Sequence, residues 1–248
     1  VVTDHGYPAC RYAADFSVAR AGARVLILER ESQPGYHATG RSAALFSETY
    51  GPPLVRKLST ASRPFLQEPP EGLTEYPLLS SRGLLQLATG EELERVDERL
   101  VEARANGDVV ERLDQHQLTR CVPILRGDGF AAGVLEPDAM DIDVAALHQG
   151  FLRGFRHAGG TVATNAEIEA AERSQGTWHV TTRQGERFRA PVLVNAAGAW
   201  ADVLAEVAGV RRVGLVPKRR TAVMIDLPAG VDPHGWPLTG DFASTFYF

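Results

Sequence analysis

The hydrophobic and polar positions of the chain change period several times, and each change marks an element. Residues 24–29 (R-V-L-I-L-E) form a short branched apolar run closed by a carboxylate. Gly22 precedes it, and residues 13–21 have helical character. Helix, glycine, buried strand and terminal acid read as the second half of a βαβ unit. A Gly/Ser/Thr-rich loop occupies 32–51. Leu54, Val55, Leu58, Ala61 and Phe65 then fall at helical spacing, and Pro69 and Pro70 end that helix.

Residues 76–88 predict one or two strands around a turn at 80–83. Thr89, with Glu92 three later, is a capping-box signal for a helix over 89–105. Asp114 is placed to cap another short helix, and 131–136 reads as a strand. The spacing predicts a strong helix over 143–157, with Asp143 as N-cap, Val144, Leu147, Phe151, Leu152 and Phe155 on one face, and Gly159 as its stop. Short strands follow at 161–164, 168–173, 178–182 and 187–190. Residues 192–195 predict a buried strand running into Ala196-Ala197-Gly198-Ala199-Trp200 and a helix that stops at Gly209. Residues 215–225 and 244–248 read as further strands.

The apolar β-branched runs (24–29, 192–195) suggest a parallel sheet. The more polar strands (76–88, 215–225, 244–248) suggest a second, antiparallel one. The two kinds interleave, so the expected class is α/β with two discontinuous domains, 1–75 with 140–212 and 76–139 with 213–248.

Composition narrows the functional classes. The 248 residues are 44% hydrophobic and 23% charged, a profile with ample material for a core. A net charge of -5 argues against a nucleic-acid partner. No apolar run approaches the roughly 18 residues of a membrane span, so no integral membrane segment is expected. Cys10 and Cys121 make neither a disulfide framework nor a metal motif, which favours a reducing compartment and a cytoplasmic location. The seven histidines are scattered, and no G-x-S-x-G, H-E-x-x-H, P-loop or C-x-x-C occurs.

Two places carry candidate chemistry. An acid at the end of the second strand of a dinucleotide fold, here Glu29, hydrogen-bonds the adenosine ribose hydroxyls. Counting back from it, the glycines of a phosphate loop fall on Gly6, Pro8 and Arg11. Gly6 fits, Pro8 has no N–H to donate, and Arg11 adds bulk where helix and strand must pack. The second place is 35–50 (G-Y-H-A-T-G-R-S-A-A-L-F-S-E-T-Y), whose small residues would let backbone approach a large ligand, with Arg41 supplying charge for a phosphate.

The segment G-Y-H-A-T-G-R-S-A-A resembles the flavin-contacting stretch of the D-arginine dehydrogenase branch of the D-amino-acid-oxidase-like flavoproteins. V-L-V-N-A-A-G-A-W-A-D (192–202), D-I-D-V-A-A-L-H-Q-G-F-L-R-G (141–154) and P-K-R-R (217–220) resemble the same superfamily, in the right order, over about 21–248. The resemblance implies an FAD-binding Rossmann-like parallel sheet interleaved with an antiparallel substrate domain. It implies FAD as cofactor, a small amino acid as substrate, and O₂ or a redox carrier as electron acceptor. The chemistry implied is hydride transfer from Cα of a D-amino acid to flavin N5, followed by hydrolysis of the imine.

By the same resemblance Glu29 and Arg30 match the ribose and adenine end of FAD. Ala38, Thr39, Gly40, Arg41, Ser42, Ala43, Ala44 and Leu45 match the loop around pyrophosphate and flavin. Ile168 matches a backbone contact to adenine, and Ala197 and Gly198 the turn beside the cofactor. Arg220 and Tyr247 match the pair that grips the substrate carboxylate, and Tyr50 the aromatic that covers the substrate. Leu84 stands where the arginine-selective enzymes have an acid, and Leu45 where they have a histidine. An apolar Leu84 cannot pair a guanidinium, and burying that charge alone is costly, so neutral or apolar D-amino acids are expected. Two other readings stay open: an inactive remnant without FAD, and a sarcosine- or glycine-oxidase-like amine oxidase. In the family the chain runs on past Phe246-Tyr247, so a C-terminal truncation and a degenerate phosphate loop are also expected.

Overall fold

A strand that is apolar on both faces needs neighbours on both edges, and β2 (Leu26–Glu29) has them in the computed structural model, which describes residues 2–4, 16–126, 129–219 and 221–248. β2 lies between β1 (Val2–Asp4) and β9 (Thr161–Ala163), parallel to both. Ile27 and Leu28 are fully buried. The chain divides into two units, each assembled from three separate stretches.

The first unit comprises 1–43, 70–76 and 144–223. Beside the parallel sheet it holds an antiparallel one, β10 (Ile168–Ser174), β11 (Thr177–Thr182) and β12 (Arg187–Ala190). Leu28, Ala166, Ala171 and Val180 form the core here, and Val207 of α5 (Ala201–Val207) packs against them. The helix predicted over 143–157 is α4 (Val144–His157), with Leu147, Phe151, Leu152 and Phe155 buried as the pattern requires. Gly150 and Gly154 thin one side of it. A Cβ on Gly150 would lie 2.3 Å from the Leu73 carbonyl oxygen, and one on Gly154 would lie 2.7 Å from the Phe16 ring.

The second unit comprises 44–69, 77–143 and 224–248. Its main sheet runs β13 (Leu238–Asp241), β5 (Leu84–Ala88), β7 (Ala132–Glu136), β6 (Glu111–Asp114). β13 is parallel to β5, and the other pairs are antiparallel. Period-2 alternation sends Leu85 and Leu87 to one face, where Leu118 and Val122 of α3 (Gln115–Cys121) and its end cover them. It sends Ala88 and Val134 to the other, under Val96 and Leu100 of α2 (Leu93–Asn106). The predicted capping box at Thr89/Glu92 is formed, and Asp114 caps its helix as expected, within a second capping box with Gln117. A smaller sheet pairs β3 (Leu45–Phe46), β8 (Met140–Ile142) and β4 (Leu79–Ser81). The β3–β8 pairing draws residues 44–69, with α1 (Pro53–Gln67), into this unit, although the sequence groups them with the first.

Three predicted strands differ. Residues 192–195 make only an isolated bridge at Val194, and Val192 and Val194 are exposed. The described residues of 215–225 carry no strand, with Val216, Val223, Met224 and Ile225 exposed. An apolar run makes a strand only where an edge accepts it. Residues 244–248 fold back on β13 through the pair of hydrogen bonds between Thr239 and Phe248 and a bridge from Gly240 to Tyr247. The sequence reading missed β3, β6, β8 and β13, four strands of two to four residues. Among the described residues no helix is long and apolar enough to cross a membrane.

Gly150→Ala sets two effects against each other. Alanine gains about 1 kcal/mol of helix propensity. Overpacking costs about 1–3 kcal/mol, and more when the obstacle is backbone. With the Leu73 carbonyl at 2.3 Å the steric cost wins, so the variant is expected to unfold at lower denaturant concentration than the parent. A raised midpoint would mean that the 70–76 stretch yields freely.

Candidate functional site

In the first unit the candidate residues gather at the C-terminal end of β2. Glu29 is 2% exposed, and its Oε1 accepts the Glu31 N–H at 2.9 Å. The carbonyls of Glu29 and Glu31 accept the N–H groups of Ala166 and Asn165, at 2.8 and 2.9 Å. The run leading to Ile168 is thereby fastened beside Glu29. The Arg30 guanidinium lies over the Trp200 ring, 5.3 Å from its centroid, and pairs with Glu31 at 3.2 Å. The His37 ring sits 4.8 Å from Trp200, with Nε2 2.9 Å from Glu31.

The 35–43 loop belongs to the same unit. The Gly40 N–H donates to the Gly35 carbonyl at 2.9 Å, and a Cβ on Gly35 would meet the His148 ring of α4 at 2.8 Å. Gly35 also has φ +83°, so glycine is required there on both counts. Thr39 is buried, Ala38 is half-buried, and Gly40, Arg41, Ser42 and Ala43 are exposed. Ala197 is buried, and its N–H is held by the side chain of Asn195, whose amide also donates to the Ala201 carbonyl. The Asp202 carboxylate, on the first turn of α5, accepts the N–H groups of Val213, Gly214 and Leu215, each at 2.9 Å. These bonds, that from Val213 foremost, hold its pKa below the usual aspartate range.

Ala44 and Leu45, from the same predicted cofactor run, fall in the second unit. Ala44 adopts the left-handed conformation, φ 57°, a strained choice for a residue with a Cβ. Tyr50 and Leu84 come together: both line an open hollow of about 230 Å³, with Gln86, Arg56, Arg99 and Phe242 among its walls. Register brings Tyr247 to the same sheet face. Tyr247 bridges Gly240, and Gly240 pairs with Gln86, so Gly240 leaves a gap in the row between them. Three of the predicted substrate residues thus share one face of one unit.

Behind the hollow, buried Glu136 accepts from the Ser47 hydroxyl at 2.8 Å, from the Thr49 hydroxyl and from the Glu48 N–H at 3.2 Å. Gly6, with Pro8 and Arg11, and Arg220 lie outside the described residues. Sequence reasoning missed Trp200 as a partner of Arg30, and it missed Arg56, Arg99, Glu102 and Glu136 altogether. Arg95 and Arg99, four apart on a helix, were the one local signal.

A family model described as DAO, FAD dependent oxidoreductase, matches residues 10–248. An L-2-hydroxyglutarate dehydrogenase of Escherichia coli O17:K52:H18 (strain UMN026 / ExPEC) is 27% identical over 195 residues, covering 75% of this chain and 44% of that protein. The chain therefore spans less than half the length of this curated relative. Glycine oxidase from Geobacillus kaustophilus superposes with a TM-score of 0.73 at 24% identity, covering 84% of this chain and 57% of that one. The FAD-bound L-α-glycerophosphate oxidase from Mycoplasma pneumoniae gives 0.72 at 16% identity, covering 84% and 56%. These likenesses carry the fold: α/β, with parallel and antiparallel sheets, of the FAD-binding glycine-oxidase type.

The three bonds to Asp202 set a pH dependence. A carboxyl whose pKa falls on folding adds stability above its unfolded value, about 3.9, and loses it as pH drops through the folded value. The stability gap between the parent and Asp202→Asn is expected to stay level above about pH 5 and to close below about pH 4. Denaturant titrations across pH 2–7 check this, and a gap that is unchanged at pH 2 would contradict it.

Proposed function

The chain belongs to the DAO family of FAD dependent oxidoreductases, and from that premise we propose that it oxidises the Cα–N bond of a D-amino acid with a neutral or apolar side chain. The observation that carries the reading is the shared hollow: Tyr50 and Leu84 line one wall system, and Tyr247 stands on the same sheet face.

FAD is the family's cofactor. The described residues suit its adenosine end. Glu29 offers a carboxylate at the end of a central parallel strand, where a ribose diol can donate. Arg30, Trp200 and His37 offer flat surfaces beside it. Ile168 would complete that end through its backbone, while Ala38–Ala43 would face the pyrophosphate and flavin and Ala197 and Gly198 would form the turn beside the cofactor. When bound, FAD supplies a two-electron sink for the Cα–H hydride.

The other roles fall to the chain's own groups. Arg220 and Tyr247 hold the substrate carboxylate, a guanidinium and a phenol being apt donors to that anion. Tyr50 covers the bound amino acid and limits its contact with water. Leu84 receives the side chain and rejects a cation, which would be buried unpaired. The amine enters neutral, its lone pair forms the C=N bond as the hydride leaves, and water then yields the 2-oxo acid and ammonia. The electrons pass on to O₂ or to a redox carrier. A second reading is oxidation of a 2-hydroxy acid, favoured by the relatives named L-2-hydroxyglutarate dehydrogenase. The sarcosine- or glycine-oxidase-like reading is favoured by the glycine oxidase likeness.

The test is an absorbance spectrum of the purified chain from the near-UV to the blue, followed by anaerobic bleaching with candidate substrates. A flavin spectrum is expected, with bleaching by D-Leu, D-Met or D-Phe at least about tenfold faster than by D-Arg, the discrimination expected when a buried charge is left unpaired. Faster bleaching by D-Arg would overturn the specificity. Bleaching by L-2-hydroxyglutarate or sarcosine alone would replace the reaction by one of the other two readings.

A further inference from the structure

Three guanidiniums line the hollow of the second unit, those of Arg56, Arg95 and Arg99, beside the carboxylate of Glu102. Surplus positive charge of this kind would suit an anion, but the hydrogen bonds run elsewhere. Arg56 donates from Nε to the Gly51 carbonyl at 2.7 Å. Arg99 donates from Nη2 to the Thr49 carbonyl at 2.9 Å. These two carbonyls flank Tyr50 on either side. Glu102 joins the two arginines, with Oε1 2.8 Å from Arg56 Nη1 and Oε2 3.5 Å from Arg99 Nη1. Arg95, one helical turn from Arg99, makes the same kind of tie: it pairs with Glu92 and donates to the Phe242 carbonyl at 2.8 Å.

We propose that Glu102, Arg56 and Arg99 form a clamp that positions Tyr50 at the rim of the hollow. The clamp rests on the reading of Tyr50 as the aromatic that covers the substrate. Several facts support it. The Arg56 and Arg99 side chains are 17% and 13% exposed, so these long chains are held in place and not swept through solvent. Tyr50 itself is 67% exposed, and no burial of its own ring fixes it. Its neighbours on the N-terminal side are anchored independently, Ser47, Glu48 and Thr49 by Glu136. The Arg56 tie therefore reaches Gly51, beyond the residues that Glu136 holds, while the Arg99 tie adds to the hold on Thr49. Gly51 has φ +86°, a conformation any other residue would resist, and a carbonyl held from outside keeps it there. Arg56 also holds the Glu102 carboxyl below its usual range, chiefly through their hydrogen bond.

The test compares the full chain with Glu102→Ala. The Glu102 side chain is 48% exposed, and its removal takes nothing from the core. Chymotrypsin cleavage after Tyr50 is expected to speed up about tenfold, as local opening replaces a held loop. Cleavage after Tyr36, also exposed but in the first unit, should not change. With a D-amino acid that bleaches the flavin, the apparent KM should rise while kcat stays within about twofold, since Tyr50 covers the substrate without touching the reacting bond. Glu102→Gln, isosteric and uncharged, gives the same comparison if the alanine variant is unstable. Unchanged cleavage after Tyr50 in both variants overturns the clamp, and so does equal acceleration after Tyr36. If no D-amino acid bleaches the parent, the proposed reaction falls while the cleavage comparison still decides the clamp.

Discussion

A carboxylate removed from water must find donors, and Glu136 is the one on which the second unit turns. It ends β7, is 5% exposed, and its donors all come from residues 47–49, nearly ninety positions earlier. Removing a donor to a buried group of this kind leaves it unsatisfied, at a cost of about 1–3 kcal/mol. The demand is local and directional. It fixes where the chain leaving β3 must go, and so where Tyr50 begins. The Leu84 position follows from the same strand pair, because Leu84 sits opposite Glu136 in the β5–β7 register. One satisfied charge therefore sets both walls of the hollow.

The first unit has a related solution at the end of β2. Glu29 is buried, its carboxylate accepting the Glu31 N–H and its carbonyl the Ala166 N–H. The aromatic and guanidinium surfaces of Trp200, His37 and Arg30 then gather around Glu31. This is a stacked, partly charged surface, and cation–π contacts of that kind stabilise by about 0.5–2 kcal/mol each. It brings two distant parts of the sequence, 30–37 and Trp200, together at the end of one parallel strand.

Much of this was legible before any coordinates. Long elements announced themselves: the apolar stripe of 143–157, the capping box at Thr89/Glu92, the Asp114 cap, and the β-branched run closed by Glu29. Short strands did not, because two to four residues carry too little period to be told from loop, as at 45–46 and 140–142. The run 215–225 fails for the opposite reason. Its pattern suits a strand, but a strand needs an edge, and sequence says nothing of where an edge will be. At the site, small-residue motifs located Gly35, Gly40, Ala197 and Gly198. The clamp around Tyr50 stayed hidden, because a guanidinium bound to a carbonyl four dozen residues away leaves no local mark. The placement of 44–69 with the second unit was equally invisible, since it hangs on the two-residue pairing of β3 with β8.

The parallel pairing of β13 with β5 also has a kinetic side. About 150 residues separate the two strands in the chain. At a synthesis rate of roughly 5–20 residues per second, β5 emerges some 8–30 s before its neighbour exists. Through that interval it can pair with β7, but its other edge, Leu84 to Ala88, stays open. An apolar edge is a template for the wrong partner as readily as for the right one. The interleaved layout that brings Leu84, Gln86 and Tyr247 onto one face thus makes the nascent chain wait, and a shielding chaperone would have its clearest task at this edge.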